Sequence, residues 1–216
     1  MEWPFFALRI VSGKVLLRGV TDGDLDPLVA ALPCDLELDP HLERFATLPE
    51  VRDRERRLVA GLWRHRGLWS PSSWCLDLVV EHAGRVVGIQ SLEGDDFPTL
   101  RTVDSASWLE PGMRGRGLGT AMRAGIMALA FGHLGADAAV SSAEHSNAAS
   151  LAVSRRLGYV DNGVGRVHGA QGAVDLQYLR LSRESWRASG FTAEVTGVER
   201  CLPWFGLGPE VGPEVG

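Results

Sequence analysis

The sequence predicts a single α/β domain, and three observations carry that prediction. Trp74, Leu76, Leu78 and Val80 alternate with Cys75, Asp77 and Val79 ahead of an Ala83-Gly84 pair, the pattern of a strand entering a hairpin. The charged run from Val51 to Arg57, followed by Leu58, Val59, Leu62 and Trp63, has the spacing of an amphipathic helix with an exposed charged face. Met113 to Thr120 reads Met-Arg-Gly-Arg-Gly-Leu-Gly-Thr and passes without a break into the apolar run Ala121 to Ala130, so a glycine turn opens a helix. At 216 residues with 45% hydrophobic content, the chain is ample for one such domain and too short for two large ones.

The elements follow in order. Leu8 to Arg18 reads as a first strand, with a turn at Ser12-Gly13-Lys14, and Thr21-Asp22-Gly23-Asp24 caps a helix carrying Leu25, Leu28, Val29 and Leu32. Pro33 and Pro40 bracket an irregular piece, and the amphipathic helix starts at Glu50. The hairpin pairs the strand from Trp74 with Arg85 to Gln90. A loop at Gly94-Asp95-Asp96-Phe97-Pro98 then precedes a strand from Thr102 to Leu109. Glu110-Pro111-Gly112 ends that strand, since proline has no N–H to continue a ladder. The glycine-turn helix runs to Phe131 and stops at Gly135, Asp137 to Ser142 is a short strand, and Asn147 caps a helix that ends at Gly158. Gly165 to His168 and Val174 to Leu181 are strand-like runs around Ala170-Gln171-Gly172. The domain is read as 1–190, with a C-terminal extension over 191–207 that includes a strand between Phe191 and Val198, and a flexible tail from Gly208.

Composition narrows the function. A formal charge of −5 gives no basic field for nucleic acid. No apolar run approaches a membrane span, and Glu2, Pro4 and Arg9 interrupt the first ten residues, so a soluble, cytoplasmic protein is expected. Cys34, Cys75 and Cys201 are odd in number and unpatterned, which argues against a disulfide framework or a zinc site, and no metal is expected.

The glycine turn suits an anion. Successive backbone N–H groups converge there, and the helix N-terminus adds partial positive charge, an arrangement that takes a phosphate or pyrophosphate. A P-loop needs a lysine after the last glycine, and none follows Gly119; a dinucleotide fingerprint needs its third glycine where Thr120 stands. What remains is Arg-x-x-Gly-x-Gly, formed by Arg114, Gly117 and Gly119. It resembles the acyl-CoA pyrophosphate loop of the GCN5-related N-acetyltransferases (GNAT). Asn147 and Ser150, followed by Leu157-Gly158-Tyr159, resemble that family's second signature at its usual spacing. The opening stretch is similar to the branch of ribosomal-protein N-terminal acetyltransferases of the RimJ and RimL type. Asp96-Phe97-Pro98, Val103-Asp104-Ser105 with Trp108-Leu109, Ala152 to Arg156 and Cys201 to Pro203 resemble actinobacterial members, some of which bind succinyl-CoA.

The resemblance implies a central, mostly antiparallel mixed sheet with helices on both faces, splayed between its fourth and fifth strands, Thr102–Leu109 and Asp137–Ser142. It implies transfer of an acetyl or succinyl group from coenzyme A to a primary amine in a ternary complex, the acceptor being a small molecule, a protein N-terminus or a lysine. Trp108, Leu109, Arg114, Arg116, Gly117, Leu118, Gly119, Thr120, Asn147 and Ser150 would contact coenzyme A, with the Leu109 N–H polarising the thioester carbonyl. Glu144 is the first candidate for general base, followed by Asp104 and His168; an exposed polar residue is the alternative reading for each. Many members place a tyrosine acid seven residues after the asparagine, where this chain has Ser154; Ser150 is therefore the preferred proton donor and Ser154 the reserve, although serines in a first helical turn often only cap it. Relatives pair through late strands, so a homodimer is expected. A coenzyme A-sensing module without turnover, or a nucleotide-phosphate enzyme using the same turn, are the competing readings.

Overall fold

The structure is a computed structural model that describes residues 3–39, 42–169 and 172–208. After a short 3-10 turn at Pro4–Ala7, the chain forms β1 (Arg9–Ser12) and β2 (Val15–Gly19). The stretch expected to be one strand is thus a hairpin, because folding it back at Gly13-Lys14 sets apolar Ile10 opposite Leu17. Asp24 accepts hydrogen bonds from the Thr21 N–H at 2.8 Å and from both Arg18 amino groups at 2.8 and 2.7 Å, which ties the entry of α1 (Leu25–Ala31) to the end of β2. That arginine holds the Asp24 carboxyl down at about 2.

The amphipathic helix is α2 (Glu50–Gly67), and the expected hairpin is β3 (Ser73–His82) with β4 (Arg85–Asp95). The strand β4 runs five residues past Gln90. Where a loop was expected, α3 (Phe97–Leu100) makes one turn, entered and left through left-handed Asp96 and Arg101 (φ +46° each). There follow β5 (Thr102–Val103), β6 (Ser107–Leu109), α4 (Leu118–Gly132), β7 (Ala138–Glu144) and α5 (Ala148–Arg156). The chain closes with β8 (Val160–Gly169), β9 (Gly172–Ser182), α6 (Arg183–Ala188) and β10 (Glu194–Thr196). The tail expected after Gly208 lies outside the described residues.

The strands form two sheets, ordered β10-β1-β2-β3-β4-β6 and β5-β7-β9-β8. Every pairing is antiparallel except β5 with β7. Alternation along β3 sorts the core into two layers. Leu76, Leu78 and Val80 pack with Ile126 and Met127 of α4 on one face, whereas Val79 joins Leu28 of α1 and Leu58 and Leu62 of α2 on the other. Close approach of α4 to the sheet depends on Gly125, where a Cβ would stand 3.1 Å from Leu17 Cδ1 and 3.2 Å from Ile10 Cγ2. Beyond β10, Phe205 is fully buried against Phe5, Trp69 and Trp74, with ring centroids 4.7 to 5.4 Å apart. No helix among the described residues is long and apolar enough to cross a membrane.

The strand expected from Thr102 to Leu109 is divided, and the division makes the cleft. Its first part, β5, lies parallel to β7 (Val103 opposite Ala139); its second, β6, lies antiparallel to β4 (Trp108 opposite Ile89). Between them Asp104 still exchanges two backbone bonds of 2.9 Å with Glu93. One run of chain therefore leaves the second sheet and joins the first, since two sheets that twist apart cannot share a continuous ladder. This is the splay expected between the fourth and fifth strands, and it opens between β6 and β7.

Candidate active site

The glycine turn is built from main chain. Gly115 and Gly117 adopt φ +73° and +78°, and a Cβ on Gly117 would meet nothing within 4 Å, so backbone conformation and not crowding calls for glycine there. The first ladder bond of α4 is the Ala121 N–H to the Gly117 carbonyl, 3.1 Å. The N–H groups of Leu118, Gly119 and Thr120 accordingly have no acceptor within the helix. Leu118 is buried and pins the turn to the core, while Gly119 lies against Val153 of α5. Arg116 is exposed and makes no ion pair among the described residues. Arg114 donates to Asp35 through both amino groups at 2.7 and 2.9 Å, and its Nε reaches the Leu109 carbonyl at 3.3 Å. The Arg114 guanidinium lowers the Asp35 carboxyl from its ordinary value.

A free strand edge continues from the turn. The Glu110 N–H bonds to Val87 and the Ser91 N–H to the Ala106 carbonyl, both at 2.8 Å. In an antiparallel pair bonding alternates, so Trp108 faces Ile89, while Ser107 and Leu109 direct their N–H and C=O groups away from β4. That edge borders the gap towards β7. Across it, β5 covers only Ala138 and Ala139, which leaves the later part of β7 without a neighbour on that side.

The floor of the gap is a cavity of about 260 Å³ whose walls include Glu93, Asp104, Ser107, Arg123, Asn147 and Ser150. Cavities of about 490 and 410 Å³ adjoin it, and Glu93 lines all three. Residues directly opposite in a sheet carry their side chains on one face, so the Glu93 and Asp104 carboxylates are neighbours. Solvent reaches both through the cleft, yet neither forms an ion pair among the described residues. The enclosing walls raise both carboxyls above their ordinary values, and the Asp104 charge lifts Glu93 further; the Ser105 N–H, 2.6 Å from Asp104 Oδ1, works against the rise at Asp104. On the far wall His65 Nδ1 is 2.7 Å from Asp77 Oδ2, and that contact raises the imidazole.

His65, Cys75 and Asp77 offer metal-ligating atoms within 4.8 Å of one another. Their bonding suits a closed knot better than an ion: Asp77 accepts from Ser91 Oγ at 2.6 Å as well as facing His65, and burial pushes the Cys75 thiol well above its usual range, which keeps it protonated.

Of the residues singled out from sequence, Asp104, Asn147 and Ser150 meet in the 260 Å³ cavity. Asn147 also caps α5, accepting from the Ser150 N–H at 3.1 Å. Trp108 lines the 410 Å³ cavity, and Thr120 is half-buried in the first turn of α4. Glu144 closes β7, accepts from Ser146 Oγ at 3.0 Å and lines none of these three cavities. Ser154 is fully buried beneath Arg123 and likewise lines none of them. The backbone of His168 lies in β8 opposite Ala173, near the end of the β8-β9 hairpin. Glu93, His65 and Arg123 were missed. Arg123 had a readable signal, as the lone charge in the apolar run Ala121 to Ala130; Glu93 had none once the strand was ended at Gln90.

A family model described as the Acetyltransferase (GNAT) domain matches residues 14–160, two thirds of the chain. The fold is similar to that of Mycobacterium smegmatis RimJ in complex with CoA-disulfide, with a TM-score of 0.66 and 20% identity over 87% of this chain and 94% of that one. A GCN5-related N-acetyltransferase from Brucella melitensis has a TM-score of 0.62 and 17% identity over 87% of this chain and 86% of that one. A spermidine N-acetyltransferase SpeG chimera from Vibrio cholerae and hSSAT has a TM-score of 0.62 and 14% identity, covering 81% and 99%.

Proposed function

The chain belongs to the acetyltransferase (GNAT) domain family, and from that premise we propose that it moves an acetyl or succinyl group from coenzyme A to a primary amine by direct attack within a ternary complex. The residues present fit such a donor. Unpaired N–H groups at Leu118, Gly119 and Thr120 suit a diphosphate, and the outward N–H and C=O groups of Ser107 and Leu109 suit the amides of a pantetheine arm. The acyl-coenzyme A donor, when bound, would supply a thioester with an electrophilic carbonyl and the coenzyme A thiol as leaving group.

The chain's own groups supply the rest. The Leu109 N–H, aimed into the gap, donates to the carbonyl oxygen as negative charge grows on it. Glu93 and Asp104 hold the incoming ammonium and remove its proton; their raised carboxyls are better bases than carboxylates at their ordinary values. The nitrogen lone pair then forms the C–N bond, the C–S bond breaks, and its electron pair leaves with sulfur. A thiol with a pKa near 8.5 needs little acid help, and the Ser150 hydroxyl beside the gap is the donor at hand.

One observation carries this reading: the backbone bridge that sets Glu93 beside Asp104 in the cavity also walled by Asn147 and Ser150. In the two adjoining cavities Glu37, Asp77 and Asp95 stand beside Arg57, Arg64 and His65, and with Glu93 and Asp104 the carboxylates outnumber the arginines, which favours an acceptor that arrives as a cation. A protein N-terminal amine, the RimJ and RimL type of acceptor, has a pKa of about 8 and gives up its proton more readily than a lysine at about 10.4. Thiol release from acetyl-CoA and succinyl-CoA against a panel of peptides and polyamines, with products weighed by mass spectrometry, is the test. Release with a matching mass gain on an amine is expected; tight coenzyme A binding with no release for any amine would overturn the proposal.

A further inference from the structure

The inward stripe of α2 changes character at the cleft. Leu58 and Leu62 pack with Val79 and Ile89 of the sheet, and three residues on, at the next inward position, stands His65. Its Nδ1 is 2.7 Å from Asp77 Oδ2, while Asp77 Oδ1 accepts from Ser91 Oγ at 2.6 Å and from Cys75 Sγ at 3.8 Å. A carboxylate that takes donors on both oxygens holds the imidazole with its proton on Nδ1, which leaves the ring's lone pair on Nε2. Nε2 forms no hydrogen bond among the described residues, and 30% of the side chain is exposed. A histidine serving only to satisfy Asp77 needs no second opening; this one is a wall of both the 490 and the 410 Å³ cavities.

Sheet register sets how far this pair lies from Glu93. Asp77 is opposite Ser91 and Cys75 is opposite Glu93, which in turn bridges to Asp104, so these side chains share the face of the sheet that α2 covers. Asp77 and Glu93 are diagonal neighbours, about 7–8 Å apart along the backbone, a span that two side chains and one water close. Glu93 lines the cavity at the split and both outer ones, whereas His65 lines only the outer two. Glu93 therefore stands between the split and His65. The two feel each other's charge: Glu93 helps to raise the imidazole, and the imidazolium pulls against the rise at Glu93.

Acylation of an ammonium sheds two N–H protons. One ends on the departing sulfur, and the other must leave the site. A carboxyl starts from about 4.3 and an α-amine from about 8, so a proton left on Glu93 returns readily to the amine; an imidazole starts from about 6.5 and takes it at smaller cost. We propose that His65, oriented by Asp77, acts behind Glu93 as the relay that takes the amine's proton out of the cleft. This rests on the acyl-transfer reading given above. The ammonium N–H bond breaks to the Glu93 carboxylate, and Glu93 passes a proton through one water to His65 Nε2, while the electron pair stays on nitrogen for the C–N bond. The imidazolium keeps its Nδ1–H on Asp77 and returns the Nε2 proton to solvent through the outer cavities. His65 acts through Glu93 and does not touch the substrate.

The test uses acetyl-CoA with the peptide or polyamine that turns over fastest in the panel above. His65→Ala should lower kcat about 100-fold, the low end of what a lost general base costs, and leave acetyl-CoA affinity unchanged. Added imidazole should restore most of the rate, and pyrazole, a ring of the same size but a far weaker base, should not. An unchanged rate in folded His65→Ala, or equal rescue by the two azoles, would overturn the inference alone. The charged and titratable groups about the ring are Asp77 and Cys75 on β3, Glu93 on β4, Asp39 ahead of α2, and Arg64 on α2, itself 2.8 Å from Asp39. Their balance raises the imidazole, so wild-type kcat should fall on acidification along a limb above about 6.5, and Asp77→Asn should move that limb to lower pH. If His65→Ala does not fold, the wild-type profile decides: a kcat level from about pH 7.5 down to about 5.5 would overturn the relay. Absence of thiol release with every amine would instead sink the acyl-transfer reading.

Discussion

The two ends of the cleft are made of different material. The glycine turn presents backbone N–H groups from consecutive residues 118–120 and is fixed by one buried side chain, Leu118. The split presents side chains gathered from β4, the β5-β6 bend, α4 and α5, and carries charges that nothing nearby neutralises by direct contact: Glu93, Asp104 and Arg123. An end made of backbone is cheap in stability, because only conformation must be satisfied. An end made of uncompensated charge is tolerated at a cost to the fold, the usual exchange of stability for function.

The sharpest way to break this contrast is to neutralise the split. Glu93→Gln combined with Asp104→Asn should lower kcat by about 10³-fold while acyl-CoA affinity stays unchanged, as loss of a general base does. Steady-state rates with parallel calorimetry read both quantities, and a rate within a few fold of wild type would remove these carboxylates from the chemistry.

Gly117→Val attacks the other end. A β-branched residue at φ +78° is strained, and the N–H groups behind it lose their alignment, so coenzyme A affinity should fall about 100-fold, near 2.7 kcal/mol. Unchanged affinity would mean that the turn does not grip the diphosphate.

The stability side of the comparison has a pH signature. Glu93 has a raised folded-state carboxyl, so its ionised form is penalised in the fold above the unfolded value of about 4.3 and the penalty is absent below it. Glu93→Gln should therefore raise Tm on the order of 2 °C at pH 7.5 and leave it unchanged near pH 4. Thermal melts at the two pH values check the sign; a lower Tm at pH 7.5 would mean that the carboxylate stabilises the fold.

The smallest effect is expected at the mouth, where Asp35 holds Arg114 in an exposed pair. Asp35→Asn should change stability by less than about 0.5 kcal/mol, since such pairs are screened. Releasing the arginine should tighten coenzyme A binding about two- to threefold at low salt and not at high salt, where the Debye length shortens. Weaker binding in the variant would show that Asp35 positions the guanidinium and does not compete for it.

How much of this was legible follows the same division. The capped helices, the β3-β4 hairpin and the glycine turn were readable because each depends on neighbours within a few residues: Asn147 caps through Ser150, and Gly117 needs only its own φ. The β1-β2 hairpin was half read, its turn located but its strands merged. Thr102 to Leu109 looks like one strand because nothing in those eight residues says which partner each half will bond.

What the sequence determined by itself is the family, the order of elements and the place of the anion turn, since glycine spacing and periodic apolar residues are local physics. Only the tertiary structure decided that Glu93 meets Asp104, that Arg123 opens into the same cavity, and that Glu144 and Ser154 do not. Those neighbours are set by how two sheets twist away from each other, and the register of that divergence is a sum over many distant contacts that no single stretch of chain contains.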